Sequence, residues 1–426
     1  MVRRNTEHPP LRYRDRYSQR QPVHYYRDVG SGTHRRNRYQ LQRELRYRSQ
    51  MPDIYGTAMK TGCHMTPRQS GFTLVEMLVA LAVGVIVFAG IGQVFISTKR
   101  TSVTQDEITL LQENSRYAAH LLGSELRHAG YLGCGSPGNL SVTSAGTFTD
   151  NFTVSVSGYE AAGTAPGAEY SLDSGSAGWE PGLPNELSDK GILAGSDIIV
   201  VRRAKDIGLE FAEQNENGFV ITSPTAKTAQ GCSETQDSYY GLCPGDMAIV
   251  SDCIKVRSFK INTLHESGGG GLQIYHNENW GGTSDLDIKN HFNKKQSRLF
   301  TGYTVSFFIR NNTSNIPSLY RLVSNHSPAV EELIEGVENM QILYGIDSDG
   351  DGAANQYLPA GNTIDFSQVI SVRIALLLRS NRGKPNRVPP ERTPGWDLLS
   401  TKITPTSDNL FRRVFSTTIQ LRDEGN

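Results

Sequence analysis

The sequence lacks the short motifs that mark the common enzyme families. It contains no G-x-S-x-G nucleophile turn, no H-E-x-x-H zinc motif and no Walker-type G-x-x-x-x-G-K-[ST] phosphate loop. Its ten His residues are scattered through 426 residues, a distribution typical of surface or core positions. The sequence therefore offers no catalytic candidate, and we predict that the protein is not an enzyme.

Lysine is absent from the first fifty residues, which instead hold thirteen Arg, four acidic residues and many Tyr. Because these residues show little apolar periodicity, no packed core is expected there. A basic tract interleaved with aromatic residues could bind nucleic acid or anionic lipid. The alternative, which we favour, is that translation starts at Met65 and that the upstream residues come from an early start codon.

Charge is nearly absent from the apolar run between Phe72 and Ile96, where Glu76 is the one charged residue. As a helix this run would be roughly 37 Å long, enough to span a bilayer with some tilt. It exceeds the apolar region of a secretory signal peptide, which is about 7 to 15 residues. A plain signal anchor would explain its length and basic flank. Glu76 would then be unexplained, since a charged side chain in hydrocarbon costs roughly 2.5 to 3.5 kcal/mol.

The residues at the start of this run carry a resemblance to a known family. The stretch RQSGFTLVE, from Arg68 to Glu76, resembles the cleavage and methylation signature of type IV prepilins without departure. In that family a membrane-embedded prepilin peptidase cuts after the glycine and methylates the new terminal amine. The resemblance implies cleavage between Gly71 and Phe72 and N-methylation of Phe72. It also makes MTPRQSG, which begins at Met65, a short leader of the usual kind.

Cleavage at this position would give Glu76 a role in assembly. The carboxylate would be the fifth residue of the mature chain, within one helical turn of the charged amine of Phe72. The two opposite charges would reduce each other's cost of insertion. In a filament, the amine of an incoming subunit could pair with Glu76 of a neighbour and set the register of an otherwise apolar interface. The resemblance implies the same role.

Loss of the residues before Phe72 would also change the net charge. The whole chain has 43 basic and 43 acidic side chains, of which 15 basic and 5 acidic ones precede the cut. The mature chain would keep 28 basic and 38 acidic side chains and would therefore be acidic. Nucleic-acid binding by the mature protein is not expected.

Cysteine is scarce, and its five positions fit this processing. Cys63 precedes the cut, which leaves Cys134, Cys232, Cys243 and Cys253 in the mature chain. An even set indicates an oxidising compartment, and spacings far from C-x-x-C argue against a zinc site. Three pairings are possible. We favour Cys232 with Cys243, which closes a local loop, and Cys134 with Cys253, which ties the end of a helix to the sheet.

The rest of the chain shows first a helical pattern and then a strand pattern. Apolar or small residues recur at three- and four-residue steps from Ile108 to Ala129, as on one face of a helix that ends near Gly130 or Gly133. After a Gly- and Ser-rich tract, β-branched segments separated by turn residues favour an antiparallel sheet. These segments are DIIVVRR, GFVIT, DMAIVSD, CIKVRSFKIN, LQIYH, YTVSFFIR, SLYRLV, VENMQILYGI, VISVRIALLLRS and RRVFSTTIQL.

We therefore predict an α+β, pilin-like fold, in which a long N-terminal helix packs on a large antiparallel β-sheet domain. The packing of the helix on the sheet follows from the resemblance to pilins. The predicted organisation is a leader or extension (1–71, of which 1–64 precede the favoured start), a transmembrane helix (72–96), a periplasmic amphipathic helix (97–133), a variable loop region (134–196) and an antiparallel β domain (197–426).

Blocks beyond the first helix resemble recurring blocks of the PilW family, the large minor pilins of type IV pili. They are LQENSRYAAHLLGSELRHAGYLGC, GVENMQILYGIDSDGDGAANQYL, VISVRIALLLRS and FRRVFSTTIQLRD. The resemblance implies an inner-membrane protein with a periplasmic domain, which primes pilus assembly and then sits at the pilus tip, in twitching motility and adhesion. It also implies as partners prepilin peptidase, other minor pilins, the major pilin, a tip adhesin and the inner-membrane assembly platform of a Gram-negative bacterium.

Two other functions remain open at this point. A minor pseudopilin of type II secretion shares the same processing and a related fold, although the Asp-rich block and the large sheet domain favour the pilus. A membrane-anchored periplasmic protein of another function, including an enzyme, is the second alternative. Loss of surface pili or loss of protein secretion in a deletion strain would separate the first two.

One segment suggests a cation site. In IDSDGDGAANQYL, Asp347, Asp349 and Asp351 alternate and a glycine follows, which matches the D-x-D-x-D-G opening of a calcium loop. The twelfth position is Leu358 instead of a bidentate Glu, and Asn355 adds a side-chain amide. The sequence identifies no cofactor other than Ca²⁺, which would bind here with a Kd of about 10⁻⁴ to 10⁻³ M. The alternative is an ordinary acidic turn between two strands.

Overall fold

The computed structural model describes residues 71–421 except for short internal stretches. These stretches are 136–139, 143–146, 174, 216–217, 222–226, 234–235, 240, 267–270, 278–291, 293–295, 326–327 and 384–393. The predictions that concern Cys63, the start at Met65 and the basic tract lie outside the described residues. The chain divides into two compact units, Met1–Met77 and Leu78–Asn426. Of the first unit, the structure describes only 71–77.

One long helix, α1, extends from Leu74 to Arg127. It contains no Pro and many Ala, Leu and Val residues, so its backbone hydrogen bonds are not interrupted. By length and composition, α1 is the one helix in the described part of the chain that could cross a membrane. The large apolar side chains as far as Ile96 are exposed. The helix ends close to the predicted stop at Gly130, whose φ of 73° suits glycine.

Beyond the apolar segment, α1 buries one stripe of its surface. The buried residues are Glu107, Leu111, Ser115, Ala118, Leu122, Gly123 and Leu126. Apart from Gly123, which directly follows Leu122, their spacing of three and four residues is that of one helical face. This confirms the predicted stripe from Leu111 onward, whereas Ile108, its predicted first member, is exposed. This stripe shares a core with residues of the sheets, including Val201, Val305 and Leu376.

The remainder of Leu78–Asn426 is mostly β structure. Its described strands are β1 (Leu140–Val142), β2 (Val156–Ala161), β3 (Glu169–Ser171), β4 (Trp179–Glu180), β5 (Ile198–Asn215), β6 (Gly218–Ile221), β7 (Lys227–Ser233), β8 (Gln236–Tyr239), β9 (Met247–Ser251), β10 (Val256–Lys260), β11 (Thr263–Glu266), β12 (Leu272–Tyr275), β13 (Arg298–Asn311), β14 (Pro317–Ser324), β15 (Ala329–Glu335), β16 (Val337–Ile346), β17 (Gln356–Leu358), β18 (Val369–Gly383), β19 (Trp396–Leu398), β20 (Thr401–Thr404) and β21 (Leu410–Gln420). A one-turn helix, α2 (Asn185–Ser188), and a 3-10 turn (Phe366–Gln368) complete the elements.

These strands form two principal sheets. The larger has twelve strands, with β5 and β13 at its centre, paired antiparallel through contacts such as Val201 with Val305. The second has the order β17-β16-β18-β21. Nearly all described pairs are antiparallel, the exceptions being β1 with β10 and β3 with β20. The predicted α+β, pilin-like fold is therefore confirmed.

The two sheets are joined at Asp197, which immediately precedes β5. Its Oδ1 accepts a hydrogen bond of 2.9 Å from the backbone N–H of Ala161 in β2. Its Oδ2 accepts one of 2.8 Å from the backbone N–H of Ile342 in β16. One buried carboxyl group therefore ties the twelve-stranded sheet to the four-stranded sheet.

The segment 134–196 differs from its predicted loop character. The structure places β1 to β4 and α2 within it. These elements are two to six residues long, and their Gly-, Ser- and Ala-rich sequence carries no clear period. They are stabilised by pairing with distant strands, as β2 pairs with β5 and β3 pairs with β20. Local sequence could not reveal such partners.

Candidate functional sites

The predicted processing site lies at the start of α1. Gly71 and Phe72 are exposed and precede the helix, and Phe72 keeps 83% of its surface accessible. A Cβ atom added to Gly71 would meet no atom within 4 Å, so packing does not require glycine there. Any requirement for glycine would come from a peptidase. Cleavage between Gly71 and Phe72 and methylation of Phe72 stay predictions.

Thr73 caps the first turn of α1. Its Oγ1 accepts a hydrogen bond of 3.3 Å from the backbone N–H of Glu76, which is the N-cap contact of a T-x-x-E capping box. Glu76 itself is exposed. Its carboxylate also lies in the first turn, where the helix dipole favours negative charge. The sequence signal for this cap is Thr73 followed three residues later by Glu76, and it lies within the cleavage motif.

The second half of α1 is fastened to the larger sheet by an ion network around Glu125. Arg203 of β5 lies 3.1 Å from Glu125 Oε2 through its Nη2, and Arg321 of β14 lies 3.7 Å from Oε1 through its Nη1. The guanidinium of Arg203 also stacks on the ring of Tyr303, 4.5 Å from its centroid. These contacts fix the helix against β5, β13 and β14.

All four cysteines after the predicted cut form disulfides. Cys134 is joined to Cys253, with Cα atoms 4.5 Å apart, and Cys232 is joined to Cys243, with Cα atoms 5.4 Å apart. These are the two pairings that the sequence favoured. The first bond connects the segment after α1 to the loop between β9 and β10, across 119 residues. The second closes a loop of local sequence.

The three predicted calcium-binding aspartates are adjacent in the structure. One carboxylate oxygen from each of Asp347, Asp349 and Asp351 lies within 4.8 Å of the others. Asp347 also accepts hydrogen bonds from the backbone N–H groups of Gly352 (2.8 Å) and Gly350 (2.7 Å). The hydrogen bond from Gly352, and to a lesser extent that from Gly350, holds the pKa of Asp347 below its usual range. This carboxylate therefore stays charged.

Asn355 occupies a different position from the one expected of a ligand. Its side-chain Oδ1 accepts hydrogen bonds from the backbone N–H and the hydroxyl of Ser348, at 2.7 and 3.0 Å. Its Nδ2 donates to Asp349 Oδ2 at 3.2 Å. Asn355 therefore closes the loop, and it faces the aspartates with its amide nitrogen, which cannot ligate a cation. The sequence pattern identified Asn355 but could not predict the orientation of its side-chain amide.

A pair of buried carboxyl groups was missed by sequence reasoning. Glu160 of β2 is 8% exposed and Asp197 is 2% exposed. Burial chiefly raises the pKa of Glu160 to about 7. Burial first, and then the neighbouring Glu160, raise the pKa of Asp197 well above its usual range. The hydroxyl of Tyr344 is buried beside them and has no hydrogen-bond partner among the described residues.

Because of this buried pair, we expect the free energy of unfolding of the domain to decrease as pH rises from about 4.5 to 7. Folding raises the pKa of Glu160 from its ordinary 4.5 to about 7, so the protonated form favours the folded state below this range. The loss should be about 1 to 3 kcal/mol across the range. It can be measured by chemical unfolding at pH 5, 6, 7 and 8. Glu160→Gln should reduce this slope, and exposed Glu169→Gln should not. An unchanged slope in Glu160→Gln would contradict the assignment.

Two family models match the chain. Residues 306–423 match the model described as Type IV Pilus-assembly protein W. Residues 66–92 match the Prokaryotic N-terminal methylation motif, which covers the predicted cut and the start of α1. The first match extends from within β13 through β21 and includes the three aspartates. No curated protein and no solved structure matches the chain.

Proposed function

Because the chain belongs to the PilW family of type IV pilus-assembly proteins, we propose that it is a minor pilin that primes assembly of a type IV pilus. The observation that carries the proposal is the combination of both matched segments in one chain with the apolar helix α1, whose second half packs on the sheets. The proposed role is structural: the chain adds to a filament and does not catalyse a reaction.

The proposed route begins in the inner membrane of a Gram-negative bacterium. The apolar part of α1 spans the bilayer once, and the sheet domain lies in the periplasm, where oxidising conditions suit the two disulfides. Prepilin peptidase removes the residues up to Gly71 and methylates Phe72. The chain then joins other minor pilins, the major pilin and the assembly platform, and it is carried to the pilus tip together with a tip adhesin. Twitching motility and adhesion would depend on it.

A minor pseudopilin of type II secretion is the second candidate, because the methylation motif does not distinguish the two systems. Deletion of the gene should reduce surface pili and twitching motility while leaving the secretion of exoproteins intact. Complementation with the intact gene should restore both. Loss of secretion with normal pili would favour the pseudopilin, and no effect on either process would reject both assignments.

Processing can be measured directly. We expect the protein extracted from membranes to begin at Phe72 and to carry one added methyl group on its terminal amine. Mass analysis of the N-terminal peptide would detect both changes. In a strain without prepilin peptidase, the residues before Phe72 should be retained. An N-terminus at Met1 or Met65 in cells that contain the peptidase would contradict the proposed route.

We also propose that the three aspartates bind Ca²⁺, with Asp347, Asp349 and Asp351 as the carboxylate ligands. Their mutual proximity supports the proposal, since unpaired carboxylates repel one another and an oxygen-rich cluster suits a hard cation. Binding would hold together the connection between β16 and β17 in the region matched by the pilus-assembly model.

The calcium proposal predicts a modest gain in stability. At a calcium concentration ten times the Kd, the free energy of unfolding should rise by about 1.4 kcal/mol. The measurement is thermal unfolding of the full chain in detergent, with calcium or with a chelator. Asp349→Asn combined with Asp351→Asn should remove the response, whereas Glu113→Gln, an exposed change on α1, should keep it. A response retained by the double variant would reject the site.

A further inference from the structure

A cavity of about 510 Å³ lies beside the end of β2. It is formed by the turn after β2, by β4 with the residues that follow it, and by the loop after β17. The side chains that matter for its chemistry are Glu160, Ala165, Trp179, Glu180, Pro181 and Asn362. Neither the predicted processing site nor the aspartate loop contributes to it.

The walls of this cavity are held by hydrogen bonds. The indole Nε1 of Trp179 donates to the carbonyl oxygen of Ser196 at 3.0 Å. Asn362 Nδ2 donates to Glu180 Oε1 at 3.0 Å, which joins the loop after β17 to β4. The backbone N–H of Ala162 donates to the carbonyl of Gly178 at 2.9 Å. The cavity is therefore organised before any ligand enters, which lowers the entropic cost of binding.

The cavity presents acidic groups and an aromatic ring. Glu160 lines it although its side chain is almost wholly buried, and its Oε1 accepts a hydrogen bond from Thr164 Oγ1 at 3.3 Å. Glu180 is a second carboxyl group on the wall. None of the described residues that line the cavity is Lys or Arg. A ligand that supplies positive charge would therefore find carboxylates without a competing cation.

The titratable groups near Glu160 are a second carboxyl group and two phenols. Asp197, immediately before β5, forms a side-chain hydrogen bond with Glu160 that lowers the pKa of Glu160, whereas Glu160 raises the pKa of Asp197. The charges of both carboxyl groups help to raise the pKa of the buried hydroxyl of Tyr344, from β16, after the larger effect of burial. Tyr159, beside Glu160 on β2, contributes a second phenol, whose pKa is raised by burial. The charge of Arg202 of β5 lowers this pKa, and the charge of Glu186 of α2 raises it. An incoming cation would stabilise the ionised form of Glu160, which burial disfavours.

We propose that this cavity binds a primary ammonium group carried on a short organic chain. The ammonium would lie between the carboxylates of Glu160 and Glu180. The carbon chain would rest on Ala165, Pro181 and Trp179. The predominance of apolar groups on the wall favours an organic body over a hydrated metal ion. The ammonium could belong to a free amine or to a lysine side chain of another protein.

The proposed binding is coupled to release of a proton. At neutral pH the buried carboxyl pair holds a proton, because burial raises the pKa of Glu160 and because burial and the charge of Glu160 raise the pKa of Asp197. An ammonium ion favours the ionised pair, so its arrival displaces that proton into solvent. An alkylammonium group, like that of lysine, stays charged to about pH 10. Its affinity should therefore be higher at pH 8 than at pH 6.

The test is calorimetric titration of the full chain in a non-ionic detergent with n-butylammonium chloride. n-Butanol, which has the same carbon chain without the charge, is the ligand control. We expect saturable binding of n-butylammonium, tighter at pH 8 than at pH 6, and no binding of n-butanol. Glu160→Gln should weaken binding by about thirtyfold or more, and Glu113→Gln should leave it unchanged. Ala165→Phe, which fills the cavity and keeps both carboxyl groups, should also abolish binding.

A second titration separates the two sources of the ammonium group. Acetyl-Gly-Lys-Gly-amide presents a lysine on a peptide backbone, and tighter binding of this peptide than of n-butylammonium would identify a protein partner. Tighter binding of n-butylammonium would identify a free amine. Equal binding of n-butylammonium and n-butanol, or undiminished binding by Glu160→Gln or Ala165→Phe, would overturn the proposal. The measurement uses the isolated chain, so its outcome is independent of the proposed role in pilus assembly.

Discussion

Glu76→Ala is expected to leave cleavage and methylation intact and to reduce incorporation into pili by more than about tenfold. The peptide bond between Gly71 and Phe72 is exposed and precedes α1, so loss of a carboxylate further along the helix should not block access to it. Assembly should be impaired, because the terminal amine of Phe72 would enter the apolar interface without the carboxylate of Glu76 to pair with. An unpaired charge there costs several kcal/mol, and each 1.4 kcal/mol is a factor of ten.

The measurement is the ratio of this protein in sheared pili to that in the membrane fraction. Glu76→Asp keeps the charge on a shorter side chain and should retain part of the incorporation. Asp106→Ala is the matched control, since Asp106 is an exposed acidic residue on the same helix, outside the apolar run. Accumulation of uncleaved Glu76→Ala would indicate a role in processing instead. Normal incorporation of cleaved Glu76→Ala would refute the assembly role.

The long elements of this fold could be predicted because they carry their own periodic signals. The segment VENMQILYGI coincides with β16, and VISVRIALLLRS begins with β18 at Val369. Continuous or alternating β-branched residues mark a strand whatever it pairs with. The buried stripe of α1 follows from its three- and four-residue spacing in the same way.

Elements whose stability depends on distant partners could not be predicted. β15 reads AVEELIE and would suit a helix, but it becomes a strand because it pairs with β14. Glu160 and Asp197 are far apart in the sequence, and their proximity depends on the pairing of β2 with β5. The cavity beside Glu160 also needs the loop that contains Asn362. Such sites arise from topology, which local sequence does not encode.

Removal of the buried guanidinium of Arg412 should destabilise the region matched by the pilus-assembly model. Arg412, on β21, donates to Glu338 of β16 at 2.7 and 2.9 Å and to Asp408 at 2.7 and 2.8 Å. The side chains of Arg412 and Glu338 are 3% and 4% exposed. Arg412 and Glu338 are therefore shielded from water, and the two parallel hydrogen bonds between them satisfy both oxygens of the Glu338 carboxylate.

Arg412→Met should accordingly lower the free energy of unfolding by about 3 to 5 kcal/mol, because it leaves Glu338 buried with its main partner removed. The reference is Arg413→Met on the same strand, where the side chain is exposed and a change within about 0.5 kcal/mol is expected. Adding Glu338→Gln to Arg412→Met should recover part of the loss, since the uncompensated charge disappears. Urea unfolding of the full chain measures all three variants. Equal stability of Arg412→Met and Arg413→Met would show that the ion cluster contributes little, and failure of Glu338→Gln to recover stability would assign the loss to packing of the Arg412 side chain.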